Sequence, residues 1–233
     1  MDCEMVGVSP LGNKSALGRV TLVNKFGNVI YDEHVRPVDR VVDFRTQISG
    51  IRPRDLKKGS NFVYLFCCFP AYFFLHKICL KRYFFLVSHC IIFGFAIVIT
   101  CIYNVFPAKD FRIVQKEVAE LLKGKILVGH ALRNDLKALL LSHPKKDIRD
   151  TAEYQPFLKE GRSKALRHLA AEVLGVKIQN GEHCPIEDAR AAMMLYVKKR
   201  REWEKSVKDL VKMKLKQKKR KPKKQRKEGS TAA

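Results

Sequence analysis

Asp2 and Glu4 stand two residues apart at the head of the chain, in Met1-Asp2-Cys3-Glu4-Met5-Val6-Gly7. In a strand, alternate side chains share a face, so the two carboxylates project together. So close a pair resists ionising unless cations sit between the charges. Any exposed strand face can produce Asp-x-Glu by itself. Three later clusters, in order, constrain the chain far more: Gly129-His130-Ala131-Leu132-Arg133-Asn134-Asp135, then His183, then Asp188.

At 233 residues the chain suits one domain with a tail and is long enough for a real core. Its formal net charge of +23 is too basic for an ordinary metabolic enzyme and favours a polyanionic partner. Eleven of the 46 Lys and Arg residues fall within 212–227, where there is no acid, which leaves about +12 elsewhere. The seven cysteines include no CxxC pair, so neither a zinc site nor a disulfide framework is indicated. No signal peptide is read, and a reducing compartment is the simplest setting.

Val20 to Val23 and Val29 to Tyr31 predict a hairpin, with Gly27-Asn28 as its turn. Pro37 marks an edge or turn in the extended segment from Val35 to Val42. Phe111, Val114, Val118, Leu121 and Leu122 carry helical spacing, with Gly124 as the stop. Ile126 to Val128 predicts a short buried strand, Asn134 to Leu141 the start of a helix, and Ile148 to Asp150 another strand. Ser163 is the expected N-cap of a helix through Leu166, Leu169, Val173 and Leu174, closed by Gly175. Pro185 suits the first turn of a last long helix with Ile186, Ala189, Met193, Tyr196 and Val197 on one side. Alternating strands and helices make a mixed α/β domain.

In that layout Asp2, Glu4, Asp135 and Asp188 converge from separate elements, with His183 in a loop just ahead of Asp188. Four carboxylates call for hard divalent cations with oxygen ligands, Mg²⁺ or Mn²⁺. Two such ions clamp an in-line displacement at phosphorus. A loop histidine with an ordinary pKa of about 6.5 suits deprotonation of the attacking water. A basic surface holds a phosphate backbone without reading bases. The expected reaction is metal-dependent phosphodiester hydrolysis. His130 and Cys184 are read as structural neighbours, and Asp150 as a buried supporting carboxylate.

These motifs resemble those of the DEDDh exonucleases, and within them the RNA exonuclease 4 group. Met1 to Gly7 is similar to the first motif, residues 123–137 to the second, and Glu182-His183-Cys184-Pro185-Ile186-Glu187-Asp188 to the third. Phe44 to Ile51 and Ile148 to Thr151 fit as well. The resemblance implies an RNase H-like mixed sheet flanked by helices and 3′→5′ release of nucleoside monophosphates; RNA is the expected substrate, with DNA left open as the alternative. It implies two metal ions on Asp2, Glu4, Asp135 and Asp188, and His183 as general base. It places Met5 and Arg45 near the terminal nucleotide. It further implies nuclear, often nucleolar, work in ribosomal RNA processing. The basic tail would be read by import receptors.

Two departures stand out against the family pattern. A hydrophobic half-strand precedes the first motif in the family, where this sequence has Met1 alone, so a shortened first strand and a missed upstream start are expected. Residues 60–108 have no counterpart, and residues 83–106 hold no Asp, Glu, Lys or Arg. By length that run could span a bilayer. A translated intron is the preferred reading: the genetic code permits a splice donor at Gly59-Ser60 and an acceptor at Pro107-Ala108, in matching phase. The exonuclease domain is then residues 1–59 and 109–204, followed by a disordered basic tail over 205–233. If the shortened strand and the insertion disable catalysis, the alternative is an RNA-binding protein.

Overall fold

The computed structural model describes residues 1–57 and 108–220. All of the expected insertion except Ala108, and the last residues of the tail, lie outside the described residues. So does the charge-free run proposed as a span. Among the described residues no helix is long and apolar enough to cross a membrane.

Strand β1 (Asp2–Val8) pairs antiparallel with β2 (Lys14–Val23), and β2 with β3 (Val29–Arg36). The expected Gly27-Asn28 turn lies between β2 and β3, where Gly27 N–H donates to Asn24 O and Gly27 takes φ +82°. Strand β4 (Val41–Asp43) joins the far end of β1, and β5 (Lys109–Asp110) runs parallel to the end of β3. A separate parallel pair, β6 (Leu127–Gly129) and β7 (Ile148–Asp150), adjoins the start of β1. One backbone bond links the two sheets, from the Met1 nitrogen to Val128 O at 2.7 Å. The result is a mixed sheet.

The alternation of β1 sorts its side chains between two layers. Met1, Cys3 and Met5 face a core with Leu17, Val20, Leu22 and Val35. The amphipathic helix α2 (Phe111–Leu122) closes this layer with Val114, Val118 and Leu122, spaced by one turn each. On the opposite face, Val6 packs with Ile51 and Leu56, downstream of the short helix α1 (Thr46–Ser49). Asp2 and Glu4 share that face.

Leu17 and Val20 reach the same core although they are three residues apart. The register moves from Glu4 opposite Arg19 to Met5 opposite Leu17, so β2 carries one extra residue, a bulge at Gly18. A Cβ there would stand 2.5 Å from Ile51 Cδ1, so any larger residue would have to displace the buried Ile51 side chain.

Helix α3 (Leu132–Ala138) follows β6. Helix α4 (Leu166–Leu169) continues as a π turn over Ala170–Leu174 that ends at Gly175 with φ +74°. Its N-cap is Ala165, not Ser163: Ser163 is exposed, and the chain enters the helix through an extended residue. Ile126 is likewise exposed, and the buried strand begins at Leu127.

Helix α5 (Pro185–Arg220) covers the other side of the sheet. Its buried face carries Ala189, Ala192, Leu195, Tyr196 and Trp203, whereas Val197 is exposed. Trp203 stacks on Tyr154 with ring centroids 3.8 Å apart. Buried Arg149 forks onto Glu204 at 2.7 and 2.9 Å, and Tyr196 donates to the same carboxylate. Charge composition predicted disorder from residue 205, yet α5 continues to Arg220. Lys, Leu and Met are good helix formers, and extending a helix already nucleated by packed turns costs little.

Leu195 is fully buried between α5 and its neighbours. Leu195→Ala is expected to lower unfolding stability by about 2–5 kcal/mol, read in urea by the fluorescence of the sole tryptophan, Trp203.

Candidate active site

β1 supplies Asp2 and Glu4 from one face, as the alternation predicted. Glu4 is buried at 6% exposure, and the pairing of β1 with β2 sets Arg19 directly across from it, just ahead of the bulge at Gly18. Asp32 holds Arg19 through two hydrogen bonds of 2.9 and 2.7 Å, and Thr21 donates to the same carboxylate. Arg19 therefore stands as a fixed cation beside the site.

Asp135 sits in the first turn of α3, buried at 4% exposure. The turn into that helix is tight. Ala131 takes φ +57°, and a Cβ on Gly129 would lie 2.7 Å from Met1 O. Asp150 secures the turn, accepting from the backbone N–H of Ala131, Leu132 and Ala152 at 2.8–2.9 Å. This is the supporting role expected of Asp150. His130 packs beside it, its Nδ1 2.9 Å from Thr151 Oγ1.

Asp188 lies in the first turn of α5, with Gln179 Nε2 donating to Oδ2 at 2.8 Å. The His183 imidazole is 3.8 Å from the same carboxylate. Ligand atoms of Glu4, His183 and Asp188 all fall within 4.8 Å of one another. The His183 loop is tied to the α1 turn. His183 N–H donates to Ile48 O at 2.8 Å, and Arg52 bridges Gly50 O and Glu182 Oε1 at 2.9 and 2.8 Å.

The charges register their crowding. Burial, then Asp188 and Asp135 against the opposing pull of Arg19, push Glu4 up to about 8. Burial pushes Asp135 up to about 7, with Asp150 adding to the rise and the Met1 α-amino group opposing it. Asp2 is raised by burial and then by Asp135, Asp188 and Glu4. Asp188 is raised by burial, with the Gln179 hydrogen bond and His183 in opposition. Asp135 Oδ2 and Asp188 Oδ1 are buried with no hydrogen-bond partner. Orphaned carboxylate oxygens among like charges are the donor set that hard divalent cations take, so these residues fit such ions.

The structure brings Glu4, Asp188 and His183 within ligand distance of one another, and Asp2 and Asp135, which lie outside that group, are coupled to the acids by charge. Met5 is half-buried at the margin of the β1–α2 core. Arg45 is engaged at the other end of β1, where its guanidinium donates to Ser15 Oγ and Gly12 O. Arg19, Gln179 and the Arg52–Glu182 pair escaped the sequence reading. Arg19 faces Glu4 through the pairing of β1 with β2, which no local pattern announces, and Gln179 belongs to no recognisable pattern.

A family profile for exonucleases (RNase_T) matches residues 1–66, ending inside the apolar stretch. The chain is 43% identical to RNA exonuclease 4 of Mus musculus over 89% of its own length and 37% of that protein's. For RNA exonuclease 4 of Saccharomyces cerevisiae the identity is 40%, over 88% of this chain and 55% of the yeast protein. The chain therefore spans about two fifths to one half of these relatives. A solved Saccharomyces cerevisiae Pan2 exonuclease module in complex with AAGGAA RNA aligns with TM-score 0.60 and 26% identity, over 95% of this chain and 32% of that one. The Neurospora crassa Pan2 catalytic unit shares the fold at TM-score 0.60 and 21% identity, over 92% of this chain and 28% of that one.

Raised carboxyl groups set a testable pH dependence. A group whose folded pKa is raised stabilises the fold fully below its unfolded value, near 4. That contribution fades as pH rises through about 7 for Asp135 and about 8 for Glu4. In chelator, the urea midpoint is expected to fall from pH 5 to pH 8.5. Mg²⁺ or Mn²⁺ should restore more of it at the higher pH. A flat profile that ignores metal would count against a cation site. With the acid–histidine geometry, the exonuclease profile and the shared fold together, the chain belongs to the DEDDh exonuclease family.

Proposed function

We propose that this chain is a metal-dependent 3′→5′ exonuclease that removes nucleoside monophosphates from RNA. The observation that carries the reading is the cluster of Glu4, Asp188 and His183 ligand atoms, with buried Asp135 and Asp2 coupled to it by charge. Divalent cations bound there, two Mg²⁺ or Mn²⁺ in our reading, would neutralise the acids and draw in the negatively charged scissile phosphate. Asp2, Glu4, Asp135 and Asp188 hold that charge in place. Gln179 holds the Asp188 carboxylate by a hydrogen bond, and Arg19 stands opposite Glu4 as a counter-charge. His183 stands in the loop beside Asp188, where its imidazole can take the proton of a water attacking phosphorus. The 3′-terminal nucleotide leaves as its 5′-monophosphate, and the penultimate ribose keeps the departing 3′-oxygen. Met5 and Arg45 are proposed to approach that terminal nucleotide. RNA is the favoured substrate, with single-stranded DNA as the comparison. Ribosomal RNA precursors in the nucleolus are the proposed setting, reached through import receptors that read the basic tail.

The test uses RNA labelled at its 5′ end. Wild-type protein should shorten it one nucleotide at a time, and a blocked 3′ end should stop it. Asp135→Asn should bind the RNA yet leave it intact. His183→Ala should lower kcat by about 10²–10⁴-fold, the usual weight of a general base. Full cleavage by Asp135→Asn would refute the site. The second reading, an RNA-binding protein with impaired catalysis, is favoured by the single bond between Met1 and Val128 that joins β1 to β6. It predicts binding by the wild type without nucleotide release.

The domain is proposed to close without the apolar stretch. Ala108 N–H donates to Lys57 O at 3.3 Å, and β5 pairs with β3 immediately afterwards. A bond from residue i+2 back to residue i is what a γ-turn makes, so one residue suffices to bridge this gap. Deleting residues 59–107 joins Lys58 to Ala108 and should give a protein that melts at the same temperature or higher and keeps its activity. Loss of folding in that variant, or a dominant transcript that encodes 60–108 in the working protein, would reject the intron reading.

A further inference from the structure

Helix α5 does two things that its packing does not require. It starts at the site, with Asp188 in its first turn, and it runs well past Val207, the last of its residues to pack against the core. From Lys205 to Arg220 the sequence holds eight Lys or Arg residues against one acid, Asp209.

The cations are not scattered. Arg201, Lys205, Lys208, Lys212 and Lys216 recur every three or four residues, and all five are exposed. At 100° per residue they fall within a sector of about 80°. Trp203 and Val207, which pack against the protein, lie on the opposite side of the helix. The cationic stripe therefore faces away from the domain, with Asp209 at its edge. Among the described residues none of the five forms an ion pair. Neighbouring Cβ atoms in the row are about 5–6 Å apart, and like charges so placed destabilise a helix by a few tenths of a kcal/mol per pair. A rigid row of this kind is stabilised by a polyanion of similar pitch. A nucleic acid strand offers one phosphate per about 3.4 Å, so each cation would meet one or two phosphates.

We propose that this stripe is a second RNA-binding surface, which holds the phosphate backbone of the substrate upstream of the 3′ end seated in the active site. The inference rests on the exonuclease reading for the identity of that substrate. Because α5 is continuous, its reach follows from its rise. Lys205 lies about 26 Å along the axis from Asp188, and Lys212 about 36 Å. A stacked strand needs roughly eight nucleotides to cover the nearer distance. Short oligonucleotides end before the stripe, and longer RNA meets it.

The test compares full-length wild-type protein with a triple variant, Lys205→Gln, Lys208→Gln and Lys212→Gln. Glutamine has nearly the helix propensity of lysine, so the helix is kept, and circular dichroism checks it. Binding of a labelled 20-nucleotide RNA is measured by anisotropy from 50 to 200 mM salt, and hydrolysis of a trinucleotide is measured alongside. Three lost phosphate contacts should lower the salt slope of binding by about 2. The affinity defect should then shrink about 20-fold between 50 and 200 mM salt. Trinucleotide hydrolysis should be unchanged. An unchanged salt slope and affinity for the 20-nucleotide RNA would overturn the proposal and assign the stripe to an acidic protein surface instead. So would an equal loss on the trinucleotide. If neither protein hydrolyses the trinucleotide, the exonuclease reading fails, while the binding measurement still decides whether the stripe holds RNA.

Discussion

Asp2, Glu4, Asp135 and Asp188 repel one another where little water reaches them. Left to themselves they would drive β1, α3 and α5 apart. Apolar packing on both faces of the sheet opposes that force: Cys3 and Met5 hold β1 to the α2 layer, while Leu195 and Trp203 hold α5 to the other side. The repulsion is moderated locally as well. Arg19 stands opposite Glu4, and Gln179 donates to Asp188. What these groups leave unbalanced is the charge that draws cations, so the affinity of the site for metal is set partly by how firmly the surrounding core resists separation.

The placement of Arg19 is a product of backbone geometry. Arg19 continues the register that sets Asp2 against Thr21 and Cys3 against Val20, and the bulge at Gly18 comes after it, turning Leu17 back into the core opposite Met5. Asp32 and Thr21 then fix the guanidinium, leaving it little freedom to collapse onto the Glu4 carboxylate. The irregular residue thus lets one strand present Arg19 beside the acid cluster and Leu17 to the core within three positions.

Much of this was legible in the residues. The period of a strand put Asp2 and Glu4 together, Gly27-Asn28 marked the hairpin, and Pro185 marked the helix that presents Asp188. Other features rest on contacts between distant parts of the chain. Arg149 and Glu204 meet across 55 positions, and no local pattern announces the pair. Ser163 has the chemistry of an N-cap, but tertiary packing starts the helix two residues later. The tail misled for a different reason. Its charge resembles that of disordered segments, but charge density says nothing about a helix already held in place by Trp203 and Tyr154.

The loop that carries His183 and the turn that carries Arg45 are fastened by one backbone hydrogen bond and one half-exposed ion pair. Together these contribute only about 1–2 kcal/mol. Parting them would leave the core intact, against a typical domain stability of 5–15 kcal/mol. Local opening around His183 and the global stability of the domain are therefore set by different contacts, and a change to one need not alter the other.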